Sequence, residues 1–330
     1  MVTNSWKKLS IRDIYEARSR IHGFARRTPL VFTHALSKDT GASVYLKMEQ
    51  MQEIGAFKIR GAANKIIALP EERQKRGVTT FSTGNHGLAV AYVANKLGIP
   101  AVICMSNRVP NAKVDRIRRY RVQTALIGQS QDEAGEHCRQ LQNVEGLALI
   151  DPFDDPYIIS GQGTIGLEIM EELPRLDKVI VPLSGGGLIS GIALAVKTIE
   201  PKIQVIGVSM EKTAVMYESL KAGKPVVLPE EDTLADSLLG GIGLDNQYTF
   251  PMTQTFVDDV CLVSEEEIAK GMVYMLEQHR MIVEGASATC IAAIHQHNLV
   301  QPGEHVACII SGCNVDLSVV TAIAQRYAEN

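Results

Sequence analysis

The hydrophobic and polar positions of the chain follow two patterns, short apolar runs and longer stretches with an apolar residue every three or four positions. The runs, bounded by glycine, proline and polar residues, predict β-strands, and the longer stretches predict α-helices. The predicted strands cover residues 43–48, 78–81, 101–105, 122–127, 148–150, 178–182, 204–209, 260–263 and 306–310. The predicted helices cover residues 11–27, 60–69, 88–97, 111–119, 131–143, 158–173, 188–199, 265–279 and 286–297.

From residue 78 onward strands and helices alternate, which predicts an α/β fold. Strand–helix–strand units of this length form right-handed crossovers and therefore parallel sheets. The polar segment at residues 151–156 (DPFDDP) predicts a domain boundary. We expect two open parallel-sheet domains, a large one (1–75 and 153–330) and a small one (76–152), with a ligand cleft between them at the carboxyl ends of the strands. Residues 221–257 are expected to be mostly irregular.

The composition is typical of a soluble globular protein. Hydrophobic residues make up 45% of the 330 residues, charged residues make up 21%, and the formal net charge is −4. The chain has no basic block, so nucleic acid is not expected as a partner. No apolar run reaches the roughly 18 residues that a membrane span needs, and we expect no membrane association. The first residues contain no signal-peptide h-region.

The cysteines and histidines predict no metal site. Six cysteines are scattered without a CxxC pair, which in a chain of this length indicates free thiols in a reducing compartment, the cytoplasm. The eight histidines include no HExxH motif.

A lysine between small residues, in residues 55–62 (GAFKIRGA), is the first candidate for chemistry. A lysine becomes a nucleophile when burial or a neighbouring cation disfavours its charged form. Phe57 could bury Lys58, and Arg60 could supply the cation. Taken alone, this motif favours an ordinary helix start with a solvated lysine.

Three loops that follow predicted strands are further candidates. Residues 184–188 (SGGGL) open a helix, and three glycines there favour phosphate binding over a plain strand–helix turn. Residues 82–87 (STGNHG) could hold a carboxylate through backbone amides, although a simple helix cap explains them equally well. Residues 311–314 (SGCN) begin with a serine that could simply cap the end of the strand. A lysine that condenses with an aldehyde, combined with a phosphate loop, indicates pyridoxal phosphate.

The ordered motifs are similar to those of one family over nearly the whole chain. The chain resembles the threonine/serine dehydratase and serine racemase branch of the fold-type II (tryptophan synthase β-like) pyridoxal phosphate enzymes. The motifs that carry the resemblance are GAFKIRGA (55–62), STGNHG (82–87), GQGTIGLE (161–168), SGGGLISGIA (184–193), TLAD (233–236) and SGCNVD (311–316).

The resemblance implies a role for each matching residue. Lys58 would hold the cofactor covalently and serve as the base at Cα, and Phe57 would lie beside the cofactor ring. Asn85 would bind the ring oxygen, and Ser311 would meet the pyridine nitrogen. The phosphate would be bound by backbone N–H groups of Gly185, Gly186, Gly187 and Leu188. The substrate carboxylate would be bound by Ser82, Thr83, Asn85 and His86.

The implied reaction is loss of a β-substituent from an amino acid. A neutral serine at the pyridine nitrogen makes a weaker electron sink than a carboxylate would, which suits proton removal coupled to elimination. The implied function is deamination of a 3-hydroxy amino acid, such as L-threonine or L-serine, to a 2-oxo acid and ammonia. The family also implies that the cofactor phosphate assists the leaving hydroxyl, and that the enzyme is a homodimer.

Several departures from the family keep alternatives open. Ala56 replaces a serine, and Thr83 stands where the racemases place a serine base, which disfavours racemisation. The metal-binding positions of the racemases align with Ser209 and Val215, so no divalent ion is expected. No regulatory domain follows residues 311–316, so feedback inhibition by isoleucine is not expected.

Ser237, at a position where glycine is usual, resembles the dehydratases of hydroxyectoine breakdown and suggests a related substrate. Three alternatives therefore remain: that dehydratase, a serine racemase or β-replacement enzyme, and a non-catalytic nucleotide-binding protein.

Overall fold

A computed structural model describes residues 5–82, 84–109, 111–129 and 131–328. The strands that it places, in chain order, are β1 (Leu30–Phe32), β2 (Ser43–Met48), β3 (Val78–Phe81), β4 (Ala101–Met105), β5 (Gln123–Leu126), β6 (Ala148–Leu149), β7 (Lys178–Pro182), β8 (Gln204–Met210), β9 (Asp259–Val263) and β10 (His305–Ile310).

The α-helices in the described part of the chain connect these strands. They are α1 (Ile11–Arg20), α2 (His34–Thr40), α3 (Ile59–Ile67), α4 (Glu71–Arg76), α5 (Asn85–Leu97), α6 (Asn111–Arg118), α7 (Gln131–Val144), α8 (Pro156–Glu172), α9 (Gly187–Ile199), α10 (Val215–Ala222), α11 (Thr249–Phe256), α12 (Glu265–His279), α13 (Gly285–Gln296) and α14 (Leu317–Ala328).

The larger sheet has the strand order β1-β2-β10-β7-β8-β9. All neighbouring strands are parallel except β1, which pairs antiparallel with β2 at one edge. Strand β10 lies between β2 and β7 in the interior of the sheet, so the loop that follows it lies at the middle of one edge of the sheet. Strands β7 and β10 are buried almost throughout, as parallel strands covered by helices on both faces must be.

The smaller sheet has the order β5-β4-β3-β6 and is parallel throughout. Its strands all lie within residues 76–152, where the small domain was predicted, although that division of the chain stays a prediction. Helix α3 packs its apolar residues into the core of this sheet, with Ala62, Ala63 and Ile66 fully buried. The predicted α/β fold with two open sheets is confirmed.

The prediction that residues 221–257 are mostly irregular was wrong in one part. Helix α11 lies inside this range, and its first N–H groups are bound by a side chain far away in sequence, Asp154. The first predicted helix was too long, because α1 ends at Arg20 and a loop with a left-handed Gly23 follows. Strand β1 and helices α2, α4, α10 and α14 had not been predicted.

Two further findings concern membrane-spanning helices and the cysteines. In the part of the chain that the structure describes, no helix is both long enough and apolar enough to cross a membrane. All six cysteines are free thiols, and all except the partly buried Cys313 are buried.

Candidate active site

Lys58 stands immediately before α3, at the carboxyl edge of the larger sheet. Gly55 adopts a left-handed conformation (φ 74°), which turns the chain after β2 toward the helix. The lysine Nζ donates a 2.8 Å hydrogen bond to the backbone oxygen of Pro152 and lies 5.3 Å from the centre of the Phe57 ring. The amine therefore has a carbonyl oxygen, and not a carboxylate, as its hydrogen-bond partner.

Burial lowers the pKa of Lys58 from its ordinary 10.5 to about 8, while the charges of Asp151 and Glu284 oppose the shift. The expectation that Arg60 would act as the neighbouring cation is wrong. Its guanidinium is bound by two carboxylates, Glu49 and Glu168, which neutralise its charge. Desolvation, and not a second cation, makes the Lys58 amine easier to deprotonate.

Arg60 belongs to a fully buried group of charges beneath the lysine. Its Nε and one terminal nitrogen each donate 2.8 Å hydrogen bonds to Glu49, and both terminal nitrogens donate to Glu168 at 2.6 and 2.9 Å. Lys47 also pairs with Glu168, at 2.7 Å. Two cations meet two anions, so the group is neutral overall and ties α3 to β2 and α8.

The glycine loop precedes helix α9, as the sequence predicted. Gly186 adopts φ 84°, a left-handed conformation that other residues rarely adopt. A side chain at Gly185 or Gly187 would come within 2.4 or 3.0 Å of Phe153, so glycine is needed for this close packing. The N–H groups of the first helical turn have no acceptors within the helix, and the dipole of α9 favours an anion there.

The residues predicted for the substrate carboxylate lie around the start of α5, except Thr83, which lies outside the described residues. Ser82 accepts a weak 3.4 Å bond from the Gly84 N–H. His86 is buried and its Nε2 lies 3.0 Å from the Ile150 oxygen. Because a carbonyl oxygen only accepts, Nε2 carries the ring proton, and Nδ1 is a buried acceptor without a partner among the described residues.

The His86 ring is therefore neutral. Burial and the charge of Lys58 lower its pKa to about 3. With Nε2 committed to Ile150 and Nδ1 able only to accept, the ring has no hydrogen for a carboxylate. Any contribution of His86 to carboxylate binding would come from its backbone N–H group.

Ser311 follows β10 and is held by a second serine. The Ser287 hydroxyl donates a 2.7 Å bond to the Gly312 oxygen, so its only hydrogen is used. The 3.0 Å contact between the two hydroxyls then has Ser311 as the donor. The lone pairs of the Ser311 oxygen remain available for another group.

Direct contacts bring the predicted motifs together. The Phe57 N–H donates a 3.0 Å hydrogen bond to the backbone oxygen of Ser311. Lys58 contacts Pro152, and the next residue, Phe153, packs against the glycine loop. Asn85 accepts a 2.5 Å bond from Asn314 in the SGCNVD motif. The lysine, the glycine loop, Asn85 and Ser311 thus surround one cleft between the two sheets.

Glu284 is a residue of this cleft that the sequence analysis missed. It is 2% exposed and accepts hydrogen bonds from Asn85, Ser237 and the Asn314 N–H, at 2.9, 3.0 and 3.1 Å. Burial raises the pKa of its carboxyl group to about 7, and these hydrogen bonds oppose the shift. A lone acidic residue between apolar residues 282–283 and the small-residue start of α13 was the one signal available in the sequence.

The arrangement fits pyridoxal phosphate, the cofactor implied by the motifs. Lys58 offers an amine of lowered pKa for the aldehyde group. The left-handed glycine loop and the start of α9 suit a phosphate, and the free lone pairs of Ser311 suit a ring nitrogen that carries a proton. Among the described residues, no three or more His, Cys, Asp or Glu side chains form a group that could hold a metal ion.

Comparisons with known proteins agree with this reading. The profile of the family described as "Pyridoxal-phosphate dependent enzyme" matches residues 21–312. An L-threonine ammonia-lyase of Thermotoga maritima is 42% identical over 318 residues, which cover 96% of this chain and 79% of that protein. A catabolic L-threonine dehydratase of Escherichia coli is 38% identical, with 96% of each chain covered.

A solved structure shows the same architecture. Maize serine racemase superposes with a TM-score of 0.90 at 36% identity, covering 97% of this chain and 98% of that chain. The resemblance that the motifs indicated is confirmed, and the alternative of a non-catalytic nucleotide-binding protein is set aside. The chain therefore belongs to the family of pyridoxal-phosphate-dependent enzymes, with the fold-type II architecture and pyridoxal phosphate as its cofactor.

Proposed function

We propose that the protein is an ammonia-lyase that converts L-threonine, or a related 3-hydroxy amino acid such as L-serine, to a 2-oxo acid and ammonia. The observation that carries the proposal is the position of Lys58, an amine of lowered pKa between the glycine loop and Ser311. The names of the two threonine-deaminating relatives support it, since both match nearly the whole chain.

Lys58 has two tasks in this proposal. Its Nζ would hold the cofactor aldehyde, and as a free amine it would remove the α-proton of the substrate. A pKa of about 8 means that roughly one amine in ten is already neutral at pH 7. The Pro152 oxygen, 2.8 Å away, keeps Nζ in place without holding it in the charged form as a carboxylate would.

The substrate carboxylate is placed at the start of α5. The first N–H groups of this helix have no acceptors within it, and the helix dipole favours a negative charge. Ser82, Asn85 and His86 lie at this end, the last contributing its backbone N–H.

The cofactor supplies the electron sink that accepts the electrons released when the α-proton leaves. Ser311 would hold the ring nitrogen with a neutral hydroxyl, whose hydrogen Ser287 already binds. An uncharged acceptor would hold a proton on that nitrogen less firmly than a carboxylate, so the ring would be the weaker electron sink, which suits proton removal coupled to loss of the β-hydroxyl. The enamine product that leaves the enzyme hydrolyses to the 2-oxo acid and ammonia.

The test is a substrate screen with product analysis. The holoenzyme is incubated with L-threonine, L-serine, their D-enantiomers and hydroxylated compatible solutes, and 2-oxo acid, ammonia and the enantiomers of the amino acid are measured. We expect stoichiometric 2-oxo acid and ammonia from an L-3-hydroxy amino acid, and none with Lys58→Ala. Enantiomer exchange without ammonia would instead identify a racemase, and turnover of the solutes alone would identify a dehydratase of that class.

We also propose the setting in which the enzyme works. It acts in the cytoplasm on a small amino acid, as a homodimer, without nucleic acid or membrane partners. It folds as two domains, residues 1–75 with 153–330 and residues 76–152. The six free cysteines support a reducing compartment, and the confinement of β3–β6 to residues 78–149 supports the small domain. Light scattering of the purified protein tests the dimer.

A further inference from the structure

Four side chains form a continuous hydrogen-bonded series across the cleft, here named the amide relay. Arg116 on α6 donates to the Asn314 side-chain oxygen. The Asn314 amide nitrogen donates to the Asn85 oxygen at 2.5 Å. The Asn85 amide nitrogen donates to both carboxylate oxygens of Glu284, at 2.9 and 3.0 Å.

The charges at the two ends give the relay a direction. A guanidinium group can only donate, and the Glu284 oxygens act as acceptors toward Asn85, Ser237 and the Asn314 N–H. Asn314 must therefore turn its oxygen toward Arg116, which turns its nitrogen toward Asn85 and toward the Ile54 backbone oxygen, 2.9 Å away. Asn85 in turn must direct its nitrogen toward Glu284. Neither amide could be flipped without placing two donors or two acceptors against each other.

This direction decides what Asn85 offers to the cofactor. The two oxygens of Glu284 lie close together as seen from the Asn85 nitrogen, whereas the two amide hydrogens point far apart. One hydrogen can span both oxygens, so the second stays available as a donor. A donor is what a negatively charged ring oxygen requires, and a flipped amide would present an oxygen that repels it.

The relay also joins the two sheets. Asn85 and Arg116 stand on α5 and α6, helices that pack with the smaller sheet, whereas Asn314 and Glu284 stand beside β10 and α13 of the larger sheet. A second link runs parallel to it, because Lys113, one turn before Arg116 on α6, pairs with Asp236 at 3.0 Å.

We propose that Arg116 and Glu284 are positioning residues that fix the amide orientation of Asn85 and thereby the hold of the protein on the cofactor ring oxygen. The proposal rests on the role of Asn85 in the proposed function. Arg116 acts from a partly exposed position on α6, through Asn314 and without touching the cofactor.

The first test measures cofactor affinity without turnover. Apo-protein is titrated with pyridoxal phosphate for the wild type, Arg116→Met and Arg116→Lys. We expect Arg116→Met to raise the dissociation constant about tenfold, the effect of losing one hydrogen bond to a charged group. Arg116→Lys, which still donates, should stay within about threefold of the wild type. Arg118→Met is the matched control, because Arg118 is an exposed residue of the same helix whose side chain contacts Asp115 and Thr124 and no member of the relay.

A double-mutant cycle separates positioning from general weakening. If Arg116 acts through Asn85, Arg116→Met should cause no further loss of affinity in an Asn85→Ala background. The absorbance maximum of the bound cofactor should shift in Arg116→Met and in Glu284→Gln, because the glutamine amide allows the Asn85 amide to flip. It should not shift in Arg118→Met. A purely structural role would lower affinity without this shared shift.

Three results would overturn the proposal: equal losses from Arg116→Met with and without Asn85, an unchanged affinity, or an unchanged absorbance maximum. Circular dichroism of each apo-variant checks folding, and Arg116→Leu, which also lacks a donor, replaces Arg116→Met if the latter does not fold. Because no readout needs turnover, an inactive protein with an intact relay would contradict the proposed reaction but not the relay.

Discussion

At the scale of single residues, the unusual property of Lys58 comes from its surroundings and not from its neighbours in sequence. Phe57 and the backbone at Pro152 enclose the amine, while Arg60, two positions away, faces two carboxylates. The relevant cause is desolvation, which acts against the charged form of a lysine.

This cause predicts how the apo-protein captures its cofactor. The neutral amine is the nucleophile, and it predominates above the pKa, which burial lowers to about 8. The second-order rate of capture of pyridoxal phosphate, followed by stopped-flow absorbance, should therefore rise with pH and level off just above pH 8. Lys58→Ala should show no capture. A rate still rising steeply between pH 9 and 10 would show that burial does not lower the pKa of Lys58.

The buried charges around Arg60 predict a large stability effect. Arg60→Ala leaves Glu49 and Glu168 with fewer partners in a place that water cannot reach. The free energy of unfolding should fall by about 3 to 5 kcal/mol. Urea denaturation of the apo-protein measures it, and Arg12→Ala, which breaks an exposed pair with Glu16, should change it by less than about 1 kcal/mol. Similar losses in the two variants would mean that the buried ion pairs of Arg60 stabilise the fold no more than an exposed pair does.

The sequence predicted the residues that belong to motifs, and it missed those that become functional only through folding. Lys58, Asn85, the glycine loop and Ser311 stand in short motifs with their own local chemistry. Glu284 has no such motif, and it reaches Asn85 across 199 positions of sequence. Its role depends on burial and on partners from other elements, which a linear pattern does not contain.

At the scale of elements, the strands were predicted well and the short helices were not. The central strands β7 and β10 are runs of mostly apolar residues buried on both faces, a signal that is local in the sequence. The start of helix α11 has no such local signal. The N–H groups of Gln247, Tyr248 and Thr249 donate to Asp154, which is distant in sequence, so no nearby capping residue marks the helix.

This distant cap predicts a coupled loss of stability and phosphate binding. Thr249 and Thr253 of α11 support the glycine loop, since a side chain at Gly186 would meet both at 3.0 Å. Asp154→Ala should cost about 1 to 2 kcal/mol of unfolding free energy and weaken binding of the cofactor phosphate severalfold. Urea denaturation and apo-protein titration measure the two effects.

The matched control for this prediction is Ser264→Ala. Ser264 caps α12 with its side chain and forms a capping box with Glu267, away from the glycine loop. Its loss should cost a similar free energy of unfolding without changing the affinity for the cofactor. Equal losses of affinity in both variants would mean that α11 does not support the loop.

At the scale of the whole molecule, α3 joins the two sheets. Its apolar face lies in the core of the smaller sheet, and its backbone crosses α8, which packs on α9 beside the larger sheet. The crossing is so close that a side chain at Gly161 would lie 2.7 Å from the Arg60 oxygen and from the Gly61 Cα. Lys58 stands immediately before this helix, so the geometry of the crossing also positions the lysine.

Gly161→Ala therefore should separate α3 from α8 and displace Lys58. Alanine is intrinsically better than glycine inside a helix by about 1 kcal/mol, so any net loss must come from the crossing. We expect the free energy of unfolding to fall by about 1 to 3 kcal/mol and cofactor occupancy to fall with it. Gly166→Ala on the same helix should be equally destabilising, because its side chain would lie 2.8 Å from Ala195 of α9, yet it should leave occupancy unchanged. If Gly161→Ala loses stability but binds the cofactor as tightly as Gly166→Ala, the crossing holds the sheets together without positioning the lysine.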